Sequence, residues 1–139
     1  MGKNNINRED LNKQIASMKS RYPEFTHCVR SGVLSFTGDL MILPKLPIYN
    51  ITITYNGSRI PKIIVNSPKL VENPPHTFSD NSLCLFHRSN YNWTKDCLIA
   101  KNIVGWTAAW IFFYEYWLQT GTWAGPEVSH GNNEDKQND

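Results

Sequence analysis

The chain has 139 residues and a formal net charge of +2, with 40% apolar and 19% charged residues. This composition is ordinary for a globular domain, and a chain of this length can bury a core without disulfides. The small net charge and the absence of blocks of five like charges argue against nucleic acid as a partner. The sequence therefore predicts one domain outside the class of nucleic-acid-binding proteins.

The chain contains three cysteines, Cys28, Cys84 and Cys97. An odd number fits poorly with a secreted disulfide framework. The polar N-terminus has no apolar stretch of the kind found in signal peptides. We therefore expect a cytoplasmic protein whose thiols are free.

The first predicted element is a short helix. Asn7 is a plausible N-cap, and Leu11, Ile15 and Met18 recur at spacings of four and three, which is one apolar stripe. Pro23 is expected to end this helix.

A run of strands follows the helix. Residues 25–30, 33–43, 48–55 and 62–66 are rich in β-branched and aromatic residues, and the third range alternates apolar with polar side chains. Asn56-Gly57 is a strong turn signal directly after that range. The pattern predicts an antiparallel meander of three to four strands.

Regular structure is predicted to stop between Glu72 and Trp93. Pro74-Pro75 blocks both a helix and a central strand. Loops of this length in compact domains are functional or disordered, and the apolar residues of this one favour a packed loop. The stretch also carries side chains capable of chemistry: His76, Asp80, Cys84, His87 and Arg88.

The last predicted element is a long helix that begins near a Thr94 cap and ends at Gly121, a suitable C′ residue. One apolar stripe is expected at spacings of four and three, formed by Ile99, Ile103, Trp106, Trp110, Phe113 and Trp117. Residues 98–118 are apolar enough to resemble a membrane span, but they contain Lys101 and Glu115. We interpret the segment as a core helix and expect no membrane insertion.

The chain is expected to close with an extended segment after the helix. We assign residues 1–130 to a single domain and residues 131–139 to a polar flexible tail. The sequence shows no internal repeat.

Cys84 is the first candidate for chemistry. A single cysteine is commonly a small buried hydrophobe, but this one lies in a long irregular segment between His76 and His87. Either imidazole is a candidate base or charge partner for a thiolate, which is the nucleophilic form of cysteine. Leu83 and Leu85 are expected to anchor the backbone while the thiol faces a groove.

Other roles for these residues remain open. Cys84-x-x-His87 is at best half of a zinc site, because structural zinc draws two closely spaced ligand pairs. A papain-like hydrolase needs a Cys–His pair oriented by Asn or Asp, and the chain is small for that fold. Cys97 and Cys28 are assigned packing roles.

The order of these parts resembles the ubiquitin-conjugating (UBC) enzymes. Their signature has His-Pro-Asn, then Ile-Cys-Leu, then Trp-Ser-Pro; the corresponding strings here are 75–77 (Pro-His-Thr), 83–85 (Leu-Cys-Leu) and Trp93. The resemblance covers roughly residues 7–121. It implies an α+β UBC-like fold with an N-terminal helix, a β-meander, a long active-site loop and a long C-terminal core helix.

The C-terminal part contains Tyr-Glu-Tyr-Trp at 114–117, Gly-Thr-Trp-Ala-Gly-Pro-Glu at 121–127 and His130. In these strings it is similar to the bacterial UBC-like proteins of CBASS antiphage operons. It implies a protein partner, a cGAS-like cyclic-oligonucleotide synthase, whose C-terminus would be held as a thioester and passed to an amine. No metal and no small cofactor are implied.

The resemblance assigns roles by position. Cys84 would be the thioester nucleophile, and His76 would match the family histidine that shapes the loop. The family asparagine that lies near the oxyanion of the attacked thioester is absent, since Thr77 follows His76. Asn81 is the candidate substitute, because an amide donor aimed at developing negative charge is what the chemistry requires.

Two further hypotheses compete with a conjugating enzyme. A UBC-like binding module without catalysis would explain the missing asparagine. A deconjugating thiol hydrolase would use His87 or His130 as its base, with an imidazole nitrogen within roughly 4 Å of the Cys84 sulfur.

Overall fold

A computed structural model describes residues 6–85 and 93–125 of the chain. The elements follow in the order α1 (Arg8–Arg21), β1 (Thr26–Arg30), β2 (Val33–Leu40), β3 (Tyr49–Tyr55), β4 (Lys62–Ser67), a π-helical turn (Ile99–Ile103) and α2 (Val104–Thr120). The α+β class, the N-terminal helix, the strands and the long C-terminal helix are thereby confirmed.

The four strands form one antiparallel sheet in the order β1-β2-β3-β4. Its hairpins are local, and Ser31-Gly32, both with positive φ, make the two-residue turn between β1 and β2. In β3 every second residue is buried, as its alternating sequence predicts. One face of the sheet therefore points to the core and the other to solvent.

The core lies between that face and the two helices. α1 contributes Met18 and Gln14, and α2 contributes Trp110, Ile111 and Tyr114. The largest fully buried side chains of the sheet are Tyr49, Phe36, Leu34, Ile51, Ile53 and Ile63. Burial of this apolar surface is the main stabilising contribution to the fold.

The start of the long helix differs from the sequence prediction. Thr94 does not cap it; its carbonyl accepts the Cys97 N–H at 3.1 Å in a separate turn. The first helical turn, Ile99–Ile103, is π-helical, with the Val104 N–H donating to the Ile99 carbonyl. A π turn holds more residues than an α turn, so the side chains after it face other directions than an uninterrupted α-helix predicts.

The apolar stripe of α2 is shifted for this reason. Trp106 is exposed, and Phe113 and Trp117 are only half-buried. The buried face consists of Val104, Thr107, Trp110, Ile111 and Tyr114. The predicted stripe was therefore right at Ile99, Ile103 and Trp110 and wrong at Trp106.

The C-terminal end of α2 agrees with the sequence prediction. Gly121 is the left-handed C-terminal residue, with φ of 80°, as predicted.

No helix within residues 6–85 and 93–125 is long and apolar enough to cross a membrane. The predicted domain boundary at 130 and the tail 131–139 lie outside the described residues.

Candidate active site

The segment around Cys84 forms a short antiparallel hairpin inside the stretch predicted to be irregular. We call residues 76–84 the cysteine hairpin. Its two arms meet through one β-bridge and two main-chain hydrogen bonds: Thr77 opposite Leu83, the Cys84 N–H to the His76 carbonyl at 2.9 Å, and the Phe78 N–H to the Ser82 carbonyl at 2.8 Å. The backbone of the candidate nucleophile is therefore tied directly to the candidate histidine.

Asn81 lies in the turn of the cysteine hairpin. Its φ is 72°, a left-handed conformation that asparagine tolerates better than most residues, and its N–H donates to the Phe78 carbonyl at 2.9 Å. The residue is exposed. Its proposed role as an oxyanion donor remains a prediction, because the turn position explains its presence equally well.

The hairpin is attached to β4. The Leu83 N–H donates to the Ile63 carbonyl at 3.0 Å, and Lys62 Nζ lies 2.8 Å from Asp80 Oδ2. Asp80 also accepts the Ser82 N–H and hydroxyl. The Lys62 ammonium and the two Ser82 donors hold the pKa of the Asp80 carboxyl well below its usual range. Asp80 is thus a charged anchor of the turn.

His76 is held from the opposite side by α2 and the segment after it. Its carbonyl accepts the Trp110 indole N–H at 3.0 Å, and its ring centroid lies 4.7 Å from that of Trp123. Trp123 also contacts the rings of Trp110 and Phe113. A Cβ on Gly125 would lie 2.4 Å from the Phe113 ring, so the closing segment packs tightly on α2. His76 therefore joins the hairpin to α2 through its carbonyl and to the segment after α2 through its ring.

His76 has a φ of 56°, in the left-handed region that disfavours β-branched residues. His76→Val is expected to lower the free energy of unfolding by about 1–2 kcal/mol more than His76→Asn, because asparagine tolerates that backbone. Urea titration of both variants measures the difference. Equal stabilities would show that the hairpin can relax at this position.

Cys84 is buried, with 5% of its surface exposed, and its neighbours Ser82 and Leu83 are each 3% exposed. The prediction of a thiol that faces an open groove is therefore wrong for this conformation. Leu83 is buried beside Cys84, as expected of a residue that anchors the backbone, but Cys84 itself is buried as well. His87 and His130, the other candidate bases, lie outside the described residues.

The other two cysteines differ from each other. Cys97 is half-buried, and its sulfur accepts the Thr94 N–H at 3.5 Å, which agrees with a packing role. Cys28 is exposed, so its predicted packing role is wrong. The reason is its position in β1, the edge strand of the sheet, where all five residues are exposed.

Trp93, which follows the cysteine hairpin in the sequence, is held by two successive hydrogen bonds. Its indole N–H donates to the Tyr55 hydroxyl at 2.9 Å, and that hydroxyl donates to Asp10 Oδ2 at 3.0 Å. Burial, followed by the Asp10 carboxylate, raises the pKa of Tyr55 to about 12, against the opposing effect of the Trp93 bond. The phenol therefore stays protonated and serves as acceptor and donor at once.

Gln14 joins α1 to the start of the long helix. It is fully buried; its amide oxygen accepts the Ile99 N–H at 2.9 Å, and its amide nitrogen donates to the Cys97 carbonyl at 3.1 Å. Gln14 thereby supplies the helix-capping acceptor that Thr94 was predicted to provide. This role of Gln14 was not predicted, although a glutamine three residues after Leu11 and four before Met18 lies on the apolar stripe of α1.

Within the described residues, no three His, Cys, Asp or Glu side chains lie close enough together to hold a metal ion. The zinc hypothesis requires His87, which the structure does not describe. Cys84 therefore remains the residue around which the geometry of this site is organised.

Comparison with known proteins identifies the family of the chain. Residues 14–131, which include α1 from Gln14 onwards, the whole sheet, the cysteine hairpin and α2, match the family of Type II CBASS E2 proteins. A search of curated proteins finds no match. Since the match covers most of the chain, this protein belongs to the family of Type II CBASS E2 proteins, the E2-like proteins of a bacterial antiviral defence.

Proposed function

We propose that this chain is a conjugating enzyme that carries the C-terminal acyl group of a partner protein as a thioester on Cys84. Family membership supports an E2-like conjugating role in general. The observation that carries the finer assignment is the main-chain bond between Cys84 and His76, since it fixes the cysteine on a hairpin attached to both β4 and α2.

The proposed reaction has two steps. The donor arrives activated, as a thioester or an acyl adenylate, because a free carboxylate does not acylate a thiol at neutral pH. The Cys84 thiolate attacks the donor carbonyl, the new S–C bond forms, and the donor's thiolate or AMP leaves. An acceptor amine then attacks the thioester, loses a proton, and releases the Cys84 thiolate as the amide forms.

The burial of Cys84 adds a requirement to this mechanism. Because only 5% of the Cys84 surface is exposed, we expect the residues around it to rearrange before the sulfur meets a carbonyl on another protein. We assign that rearrangement to docking of the partner. Reaction before docking, including hydrolysis and oxidation, is then suppressed by the same burial.

The donor we propose is a cGAS-like cyclic-oligonucleotide synthase with a glycine at its C-terminus. CBASS E2 proteins work with other CBASS proteins, which supports a protein partner. The resemblance of residues 114–117 and 121–127 to proteins that accompany such synthases supports this choice of donor.

A binding module without catalysis is the second candidate. The buried thiol favours it, and so does the absence of the family asparagine next to His76. A deconjugating hydrolase requires His87 or His130 near the sulfur, and neither residue is described. The three functions differ in whether a covalent species forms and whether it persists.

The test is to coexpress the chain with its neighbouring synthase and the other proteins of the operon, as wild type and as Cys84→Ala. Denaturing gels with and without a thiol reductant, followed by intact mass, report the adduct. A reductant-sensitive adduct that is absent from Cys84→Ala supports the conjugating enzyme. Copurification without an adduct in either protein supports the binding module, and loss of an existing conjugate on incubation supports the hydrolase.

A further inference from the structure

The two edge strands of the sheet, β1 and β4, differ in how their outward backbone groups are protected from pairing with another chain. The outer edge of β4 receives the Leu83 N–H at the Ile63 carbonyl, and Pro61 and the cis Pro68 flank that strand. Pairing on the inner side of β4 is also irregular at Asn50/Ile51. Proteins use such coverings, prolines and bulges to prevent the unpaired backbone of an edge strand from pairing with another chain.

The β1 edge has none of these protections among the described residues. β1 pairs with β2 in unbroken register from Thr26↔Thr37 to Arg30↔Val33, and it contains no proline. No described segment pairs with its other side. All five residues are exposed, and Val29 is 45% exposed.

The register shows which backbone groups face outward. The Ser31-Gly32 turn bonds the Arg30 carbonyl to the Val33 N–H, so Arg30↔Val33 is a hydrogen-bonded pair. Opposite residues in antiparallel strands alternate between bonded and non-bonded pairs. The N–H and carbonyl groups of His27 and Val29 therefore point away from β2, with Cys28 between them.

We propose that the β1 edge is an interface between two copies of this chain, which pair antiparallel about a two-fold axis through Cys28. His27 of each copy then exchanges two hydrogen bonds with Val29 of the other, so all four outward groups of each edge are satisfied. The two sheets become one eight-stranded sheet. This interface is independent of the chemistry proposed at Cys84.

Charge placement favours a second copy as the occupant. In this register Arg30 lies opposite Thr26 of the other chain, and the two Arg30 residues stand four residues apart along the strands. At about 3.4 Å per residue that separation exceeds 13 Å, beyond the screening length of about 8 Å at physiological salt. The central pairs, His27 with Val29 and Cys28 with Cys28, place no two like charges directly opposite each other.

The proposed dimer is weak because its interface is small. A five-residue strand is about 17 Å long, and such an edge buries less than the ~800 Å² per partner of a standard stable interface. We therefore expect a dimer that grows with protein concentration rather than a permanent one. Cys28 supplies a reporter, because opposed residues of a non-bonded pair have Cα atoms about 4.5 Å apart, within the range that a disulfide spans.

The first arm of the test is oxidative cross-linking of the full chain with diamide, which accepts the two electrons and two protons that the two Cys28 thiols lose. We expect a dimer linked Cys28 to Cys28, mapped by mass spectrometry, and none in Cys28→Ser. The control is Cys28→Ser/Arg30→Cys, whose new cysteine also lies at an exposed position but is four residues out of register. Equal cross-linking in that variant would mean random collision and would overturn the proposal.

The second arm uses the reduced protein. Val29→Pro removes an outward N–H that β2 does not use, whereas Val29→Thr keeps that N–H and the β-branched shape. We expect sedimentation across a concentration series to show a dimer for wild type and Val29→Thr, and at least a tenfold weaker one for Val29→Pro, with unchanged circular dichroism. A wild type that stays monomeric, or a dimer that Val29→Pro leaves intact, contradicts the interface.

Discussion

Cys84→Ser is expected to turn a reductant-sensitive adduct into one that survives reduction. A serine oxygen in place of the sulfur forms an oxyester, which thiols do not cleave and amines attack far more slowly than a thioester. Serine is close in size to cysteine, so the buried position should accept it without a large cavity. Intact mass before and after treatment with a reductant and with hydroxylamine distinguishes the two esters.

The exposed cysteine provides a matched control for this experiment. Cys28→Ser should leave adduct formation and its sensitivity to reductant unchanged, because Cys28 lies on β1, away from the cysteine hairpin. Cys84→Ala should give no adduct of either kind and should lose phage protection. An adduct that persists in Cys84→Ala, or shifts with Cys28→Ser, would remove Cys84 from the mechanism.

Gln14→Ala is expected to destabilise the protein by about 2–4 kcal/mol. The substitution removes the acceptor of the Ile99 N–H and the amide donor to the Cys97 carbonyl, and it opens a cavity where Gln14 is fully buried. The melting temperature should fall by on the order of 10 °C for a domain of this size. Thermal and urea denaturation measure both quantities.

Asn12→Ala is the control on the same helix, since Asn12 is exposed. It should change the free energy of unfolding by less than about 0.5 kcal/mol. Gln14→Leu separates the two causes, because leucine fills most of the volume but provides no hydrogen bond. If Gln14→Leu is as stable as wild type, packing rather than the polar link holds the two helices together.

Features set by neighbouring residues could be predicted from the sequence. The side chain of Asn7 accepts the Asp10 N–H at 2.8 Å, which is the expected N-cap contact. The alternation in β3 and the glycine after α2 were also correct. These signals depend on residues at most a few positions apart, so a single sequence contains them.

Features that join distant segments could not be predicted in this way. The cap on Ile99 comes from Gln14, 85 residues earlier, and the anchor of Trp93 comes from Tyr55 and Asp10. The burial of Cys84 depends in the same way on tertiary packing. The candidate nucleophile could be named from its motif, whereas its accessibility depends on which segments pack around it.

The π-helical turn before α2 also bears on how chain length can vary in this family. A π turn contains about one more residue than an α turn, so removing one residue from Ile99–Ile103 would give an ordinary α turn with little rotation of the side chains that follow. Trp110 would then keep its bond to the His76 carbonyl, and the cysteine hairpin would keep this support. Single-residue deletions should therefore be tolerated in this turn, whereas a deletion within α2, which has no extra residue to lose, would rotate the later side chains by about 100°.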